Sequence, residues 1–382
     1  MRLTFAIIAV TVVGQASMAC RWDSDTLEFE ARQLPDVVQT IAGRFDRNPP
    51  LYYEMRLARV SKEVLSNPKN LNLYDDAGVA CDVLGKYDDA IRWMERKQKV
   101  MLGLPDTAEK KEHEYRYFAN LGTFEAHRWF ADGADREKLL ELKQAEAHVL
   151  KAIEINPDAH FGRELVQAKV LHWIINQGHE ALKLEYLKPI PNDKIQKGLC
   201  GLIVLGNAWE SIDVFSALAQ SCYQDRTHGG DFGLATLSSL AMLRIGELYD
   251  AGKRPLVKDE MLERGLTNDR LSEQGLTWQK EDILDNYTKL RANGNAYHEH
   301  RTEFMLTKLR KGLHPDTDPS FWDGYTPIPA YKIPPKWIPI GPWIMRNGAI
   351  LLPLICLFIA VGIPAIFFVL RAKLLRRRAR MA

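Results

Sequence analysis

Residues 349–370 read AILLPLICLFIAVGIPAIFFVL without a charge, and Arg371, Lys373, Arg376, Arg377, Arg378 and Arg380 follow at once. An uncharged run of this length crosses the hydrocarbon core as one helix of about 20 residues, and a basic flank stays on the cytoplasmic side. The sequence therefore predicts a transmembrane helix over 346–370 and a basic cytoplasmic tail over 371–382. Pro353 and Pro364 each remove a backbone hydrogen bond, which membrane helices tolerate where neighbours satisfy the freed carbonyls.

The start of the chain carries a matching address. Arg2 supplies a positive region, Leu3 to Val13 an apolar one, and Ser17-Met18-Ala19 a small-residue cleavage site before Cys20. This reads as a signal peptide over 1–19, too short to span a bilayer. Export at the front and a basic stop at the back predict a single-pass protein whose 20–313 region is extracytoplasmic, in the periplasm, with the C-terminus in the cytoplasm. Cys20 stands where a lipoprotein carries its lipidated cysteine and is a candidate for lipidation, although Ser17 occupies a position where such motifs carry Leu.

Charge divides by compartment. The chain carries +2, yet Arg2 and the six cations of 371–382 lie outside the exported part, which is left net acidic. Phosphate binding needs a concentrated basic face, so a nucleic-acid partner is excluded. The basic tail suits anionic headgroups, making the lipid bilayer a partner through 346–370 and the tail. Cysteines are sparse: Cys81, Cys200 and Cys222 fall in the exported part without a CxxC pattern, leaving open a Cys200–Cys222 pair or buried thiols.

The exported part reads as helices in pairs, and no segment alternates with the period of a strand. Asn70 to Gln98 holds two amphipathic helices around the turn Leu84-Gly85-Lys86. Tyr74, Ala77, Gly78 and Cys81, then Gly85, Tyr87, Ala90 and Met94, fall at the spacing of a tetratricopeptide repeat, which this stretch resembles. Lys97 departs from the pattern, standing where the repeat has a small residue. A second copy places Ala145, Val149, Ala152 and Pro157 on its second helix and stop, with Glu114 to Ala131 as its first helix. A weaker one runs from Leu51 to Leu65 and stops at Pro68. Further helices are predicted over 161–176, as a pair within 197–222, over 234–250, and as two helices within 273–312 broken near Asn293-Gly294. The expected fold class is all-α, a tetratricopeptide-like helical repeat solenoid followed by one C-terminal transmembrane helix.

Residues 314–345 change composition. Eight prolines between Pro315 and Pro342 alternate with Phe321, Trp322, Tyr325, Tyr331, Trp337 and Trp343. Such a segment is not helical and reads as a semi-rigid stalk. Trp337 and Trp343 suit the headgroup level, Phe321, Trp322 and Tyr325 suit packing back on the helices, and a proline-recognition ligand is a third reading.

Motifs that carry chemistry are missing. His298-Glu299-His300 places its histidines on different helix faces, and no HExxH, GxxxxGK[ST], GxGxxG or GxSxG pattern is present. The glycine-rich stretch 228–233 reads as an inter-helix loop. No catalytic residue, metal ligand or cofactor is expected.

The resemblance implies a scaffold whose groove, lined by the first helix of each pair, holds a peptide or partner protein of the cell envelope. The groove candidates are Asn72, Tyr74, Asp75, Gly78, Asn120 and Thr123. Gly85, Tyr87, Ala90, Ala145, Ala152 and Pro157 are the repeat-packing positions. The alternative is a membrane-anchored glycan or cell-wall hydrolase with its site in 194–268, where Glu210 and Asp213 share a helix face and Glu247 faces them.

Overall fold

The structure, a computed structural model, describes residues 21–26, 36–157, 163–177, 182–224, 232–256 and 280–334. Eleven α-helices lie within these bounds: α1 (Val37–Ala42), α2 (Pro50–Ser66), α3 (Asn72–Val83), α4 (Tyr87–Met101), α5 (Ala108–Ala131), α6 (Leu139–Ile155), α7 (Arg163–Gln177), α8 (Asn192–Val204), α9 (Ile212–Gln224), α10 (Phe232–Asp250) and α11 (Lys280–Leu309). Among the described residues no strand occurs, and no helix is long and apolar enough to cross a membrane. The chain divides into two units, 1–331 and 332–382. The signal peptide, Cys20, the glycine-rich loop, the predicted span and the basic tail lie outside the described residues.

Local sequence explains where the helices begin and end. Pro50 opens α2, where its missing N–H costs nothing. The Thr107 side chain caps α5 by accepting from the Lys110 N–H at 3.1 Å. Between α3 and α4, Gly85 takes φ +71°, and the N–H of Lys86 closes on the Cys81 carbonyl at 2.8 Å. A side chain at that φ is strained, so glycine is what permits so tight a reversal.

Each helix from α2 to α10 packs against the next. In α4 the buried residues Ala90, Trp93, Met94, Lys97 and Met101 recur at helical spacing, and in α6 they are Leu142, Ala145, Val149 and Ala152. Gly78 on α3 lets Met94 and Phe124 close in, since an added Cβ would stand 2.8 Å from Met94 Cε and 3.0 Å from Phe124 Cε2. Ala90, Ala145 and Ala152 are fully buried, Tyr87 is half-buried beside His127, and Pro157 is exposed just beyond the end of α6. Helix α3, enclosed by α2, α4 and α5, is buried nearly all round.

The stack closes on itself. Helix α11 packs against α10 near the end of the series, against α2 near its beginning, and against α1, which also reaches α8 and α10. Residues 314–331 run back along α2 and α11: Phe321 is buried with Tyr52, Met305 and Leu309, and Trp322 stacks on Phe304 at 5.9 Å. This part of the proline-rich segment therefore belongs to the helical body.

The predicted break at Asn293-Gly294 is absent, and α11 runs unbroken through it. The glycine serves a close approach instead. A Cβ on Gly294 would lie 2.1 Å from the Ala42 carbonyl oxygen, a backbone atom that cannot turn aside. Gly294→Ala is expected to lower stability by about 2 kcal/mol, because the overpacking outweighs the roughly 1 kcal/mol that alanine gains in helix propensity. Urea unfolding measures it, and an unchanged or raised midpoint would contradict the packing described.

Candidate functional site

Alternate helices of the stack, α3, α5 and α7, turn polar side chains to a common inner face, and the segment 21–26 lies on that face. Asn120 of α5 grips the backbone of Trp22: its Oδ1 accepts from the Trp22 N–H at 2.7 Å, and its Nδ2 donates to the Trp22 carbonyl at 2.8 Å. The indole is fully buried, edge-on to Tyr115 with ring centroids 5.6 Å apart and 4.8 Å from the Arg163 guanidinium, and its Nε1–H points to Glu164 at 3.3 Å. Burying an indole removes about 200 Å² from water and stabilises by up to about 5 kcal/mol. That exceeds the net worth of any one hydrogen bond in the site, so the ring is the principal anchor.

Charged groups fix the rest of the segment. Arg21 Nε donates to Asp82 at 2.5 Å, and the opposite side of that carboxylate meets His127 Nδ1 at 2.7 Å. Burial pushes Asp82 up, but His127 and Arg21 outweigh it and hold the carboxyl below its usual range. Ser24 binds Asp76 through both its N–H (2.9 Å) and its hydroxyl (3.0 Å). Asp23 caps the helical residues 24–26 by accepting from the Thr26 N–H at 2.9 Å.

Arg56 is the hub of the site. This residue of α2 is 1 % exposed and meets Asp23 at 3.1 Å, Asp25 at 2.8 Å and, from beyond α11, Asp316 at 2.6 Å. Tyr52 one turn earlier donates to Asp25 at 2.6 Å and stacks on His314 at 4.4 Å. Arg59 adds a second cation on Asp316. One guanidinium thus ties the N-terminal segment, the first helix of the stack and the segment after α11.

Too many acids share that cation. Burial, followed by the Asp25 charge, pushes Asp23 up to about 7, and burial raises Asp76 as well. Asp316 is held down to about 2, since Arg56, His314 and Arg59 outweigh its burial. When the segment is released, Asp23 returns to an ordinary carboxylate value. The docked form therefore binds a proton more tightly than the released form, and docking strengthens as pH falls from above 7 towards 4. Below that window Asp316 begins to take up protons and its pairing with Arg56 fails. The groups facing Asp23 are Asp25, Asp76 and Arg56, with Thr26 on its own turn. Hydrogen exchange at residues 21–26, corrected for intrinsic rate, is expected to be slower at pH 5.5 than at pH 8; the reverse order would contradict the assignment.

The groove candidates divide by placement. Asn120 holds Trp22, and Thr123 accepts from Gln167 at 3.2 Å beneath the same face. Asn72 is exposed and accepts from Arg116 at 3.1 Å. It lies beside Trp22, Asp23, Ser24, Asp75 and Arg116 at the edge of the docked segment. Asp75 is turned inward, where both its oxygens accept from buried Lys97 at 2.7 Å and one accepts from Asn120 at 3.2 Å. Tyr74 is a core residue, its ring on Trp93 and its hydroxyl donating to the Pro68 carbonyl at 3.0 Å. Gly78 serves the close packing of α3 described above. Sequence reasoning missed Trp22, Arg56, Asp76, Asp82, His127, Glu164 and Asp316.

The acids of 194–268 have other engagements. Glu210 binds Lys253 at 2.5 Å, and Asp213 accepts from the Leu256 N–H at 3.0 Å while burial pushes it up to about 6. Glu247 accepts from Arg291 with both oxygens at 2.7 Å, and Arg291, Tyr287 and Arg244 overcome its burial to hold it down to about 2. Cys200 is buried near Cys222, and burial pushes its thiol up to about 12. Among the described residues no group of three His, Cys, Asp or Glu side chains is placed to hold a metal ion.

No family model matches this sequence, and no curated protein or solved structure matches it either.

Proposed function

We propose that this chain is a membrane-tethered, exported scaffold of tetratricopeptide-like helix pairs that holds a peptide or partner protein on its inner face and organises a complex of the cell envelope. The observation that carries the reading is that this face is already occupied by a peptide segment, gripped by Asn120 through the N–H and C=O that nearly every residue offers. Such a grip recognises a chain independently of its sequence, while the indole slot and Arg56 add selectivity. The tether rests on the uncharged run 349–370 and its basic flank, and export rests on residues 1–19. The engagement of Glu210 and Glu247 by Lys253 and Arg291 weighs against a hydrolase using the 194–268 acids.

Crosslinking in intact membranes tests the reading, with mass spectrometry of what the exported domain captures in the wild type and in Asn120→Ala. A specific envelope protein whose capture falls severalfold in the variant supports it. An identical set of captured proteins in both would remove the inner face from consideration as the binding surface.

A further inference from the structure

We infer that residues 21–26 are a resident, displaceable ligand, and that the scaffold's partner is another protein presenting the same chemistry: a tryptophan whose backbone lies on Asn120, followed at once by an aspartate-capped turn whose carboxylates face Arg56. The inference rests on the peptide-binding reading and gives that site a ligand class and a regulation.

Most charges of the inner face stay paired when the segment leaves; Asp76, which is bound by Ser24, is the exception. Arg56 keeps Asp316 through two hydrogen bonds of 2.8 and 2.6 Å, Asp82 keeps His127 at 2.7 Å, and Glu164 keeps Arg163 at 3.3 Å. Asn120 keeps Asp75 at 3.2 Å, and Asp75 keeps Lys97 at 2.7 Å. A socket meant only to anchor its own chain would strand buried charges on release, at several kcal/mol each. Here each of these groups has a second partner within the helical body.

The slot has its own selectivity. The ring lies between Tyr115 and the Arg163 guanidinium, and Glu164 receives the indole N–H. Phenylalanine would leave that carboxylate without the donor. Residues 24–26 are helical, with Asp23 capping them by accepting from the Thr26 N–H at 2.9 Å, and the Thr26 hydroxyl donates to the Arg21 carbonyl at 3.2 Å. A six-residue segment supplied from outside therefore brings the groups that, among the described residues, the site reads.

The resident copy sets the threshold. It is covalently joined to the chain ahead of α1, so it competes intramolecularly with any segment from outside. Apparent affinity for an outside segment falls by the fraction of molecules with the face open, so the partner must outcompete the chain's own copy.

The test uses the full-length protein in detergent micelles and a fluorescein-labelled peptide of residues 21–26, RWDSDT, followed by anisotropy. Trp22→Ala in the protein weakens the resident copy and leaves the receiving side chains intact. It is expected to bind the peptide at least about tenfold more tightly than the wild type does. Adding Asn120→Ala should abolish the gain, as should replacing the peptide's tryptophan by alanine. A folded Trp22→Ala protein that binds no better than the wild type overturns the inference. If Trp22→Ala does not fold, hydrogen exchange of the wild type with excess peptide decides: faster exchange at 21–26 with α3 and α5 still protected supports displacement, and unchanged exchange overturns it. Concentration-dependent oligomers that the peptide dissolves would assign the face to a second copy of this chain and overturn the partner-protein form. A partner captured in membranes that the peptide fails to compete away leaves the scaffold reading standing and removes this one.

Discussion

Arg56→Ala is expected to lower stability by on the order of 4 kcal/mol and to release residues 21–26 and 314–321 together. The guanidinium is buried among Asp23, Asp25 and Asp316. Removing it leaves three carboxylates gathered with no central cation, and breaking one partner of a buried ionic cluster is far more damaging than losing a surface pair. Tyr52, which donates to Asp25 and stacks on His314, should loosen with it. Urea denaturation reads the stability, and limited proteolysis reads the release, with new cleavage at both segments. Arg56→Lys should recover only part of the loss, since an ammonium cannot offer the planar fork that meets several carboxylates at once. Cleavage at one segment without the other would show that Arg56 is not the common tie.

Lys97→Met is expected to lower stability by on the order of 3 kcal/mol, and adding Asp75→Leu should restore most of it. Lys97 is 0 % exposed and lies wholly inside the helix stack. Burial holds the Lys97 ammonium below its usual range despite the Asp75 charge, while contact with Lys97 at 2.7 Å outweighs burial at Asp75 and holds that carboxyl below its usual range. Losing the lysine strands the carboxylate beside Asn120 and His113. Replacing both partners with apolar side chains removes the stranded charge and the desolvation of the pair together. A double variant whose loss equals or exceeds the sum of the two single losses would show that the apolar pair does not substitute for the ionic one.

The same lysine shows how far the sequence could be read. Helices α2, α4 and α6 were legible because their buried residues recur at three and four, as in Ala90, Trp93, Met94 and Met101. Lys97 breaks that stripe, and its charge is balanced by Asp75 on the neighbouring helix, a pairing that no local pattern expresses. Arg56 left a comparable trace, standing between Tyr52, Val60 and Val64 on one apolar stripe of α2. A cation at such a position requires buried anions, yet one of them, Asp316, lies 260 residues away. Gly294 was opaque for a similar reason: what demands a glycine there is the Ala42 carbonyl. In the site, Asn120 was readable as an inner position of its helix. Trp22 was not, since a short segment without periodicity carries no signal of what it packs against. Tyr74 was misplaced because on α3, buried nearly all round, a large aromatic serves the core as readily as a groove.

The closure of the stack by α11 also governs how the chain reaches its native state. Neighbouring helices of an open array meet over short sequence distances, so order can spread outward from any pair. Contacts such as Arg291 to Ala42 and Arg56 to Asp316 join residues 249 and 260 positions apart, and neither can form until nearly the whole body has been synthesised. Loop-closure entropy rises only slowly with length, so an already stacked series of helices can capture its last member at little added entropic penalty. The first residues to emerge therefore wait longest for their final partners. In that interval Arg56 lacks Asp316, and a chaperone or partner arriving then meets a segment 21–26 held by α2, α3, α5 and α7 without that last tie.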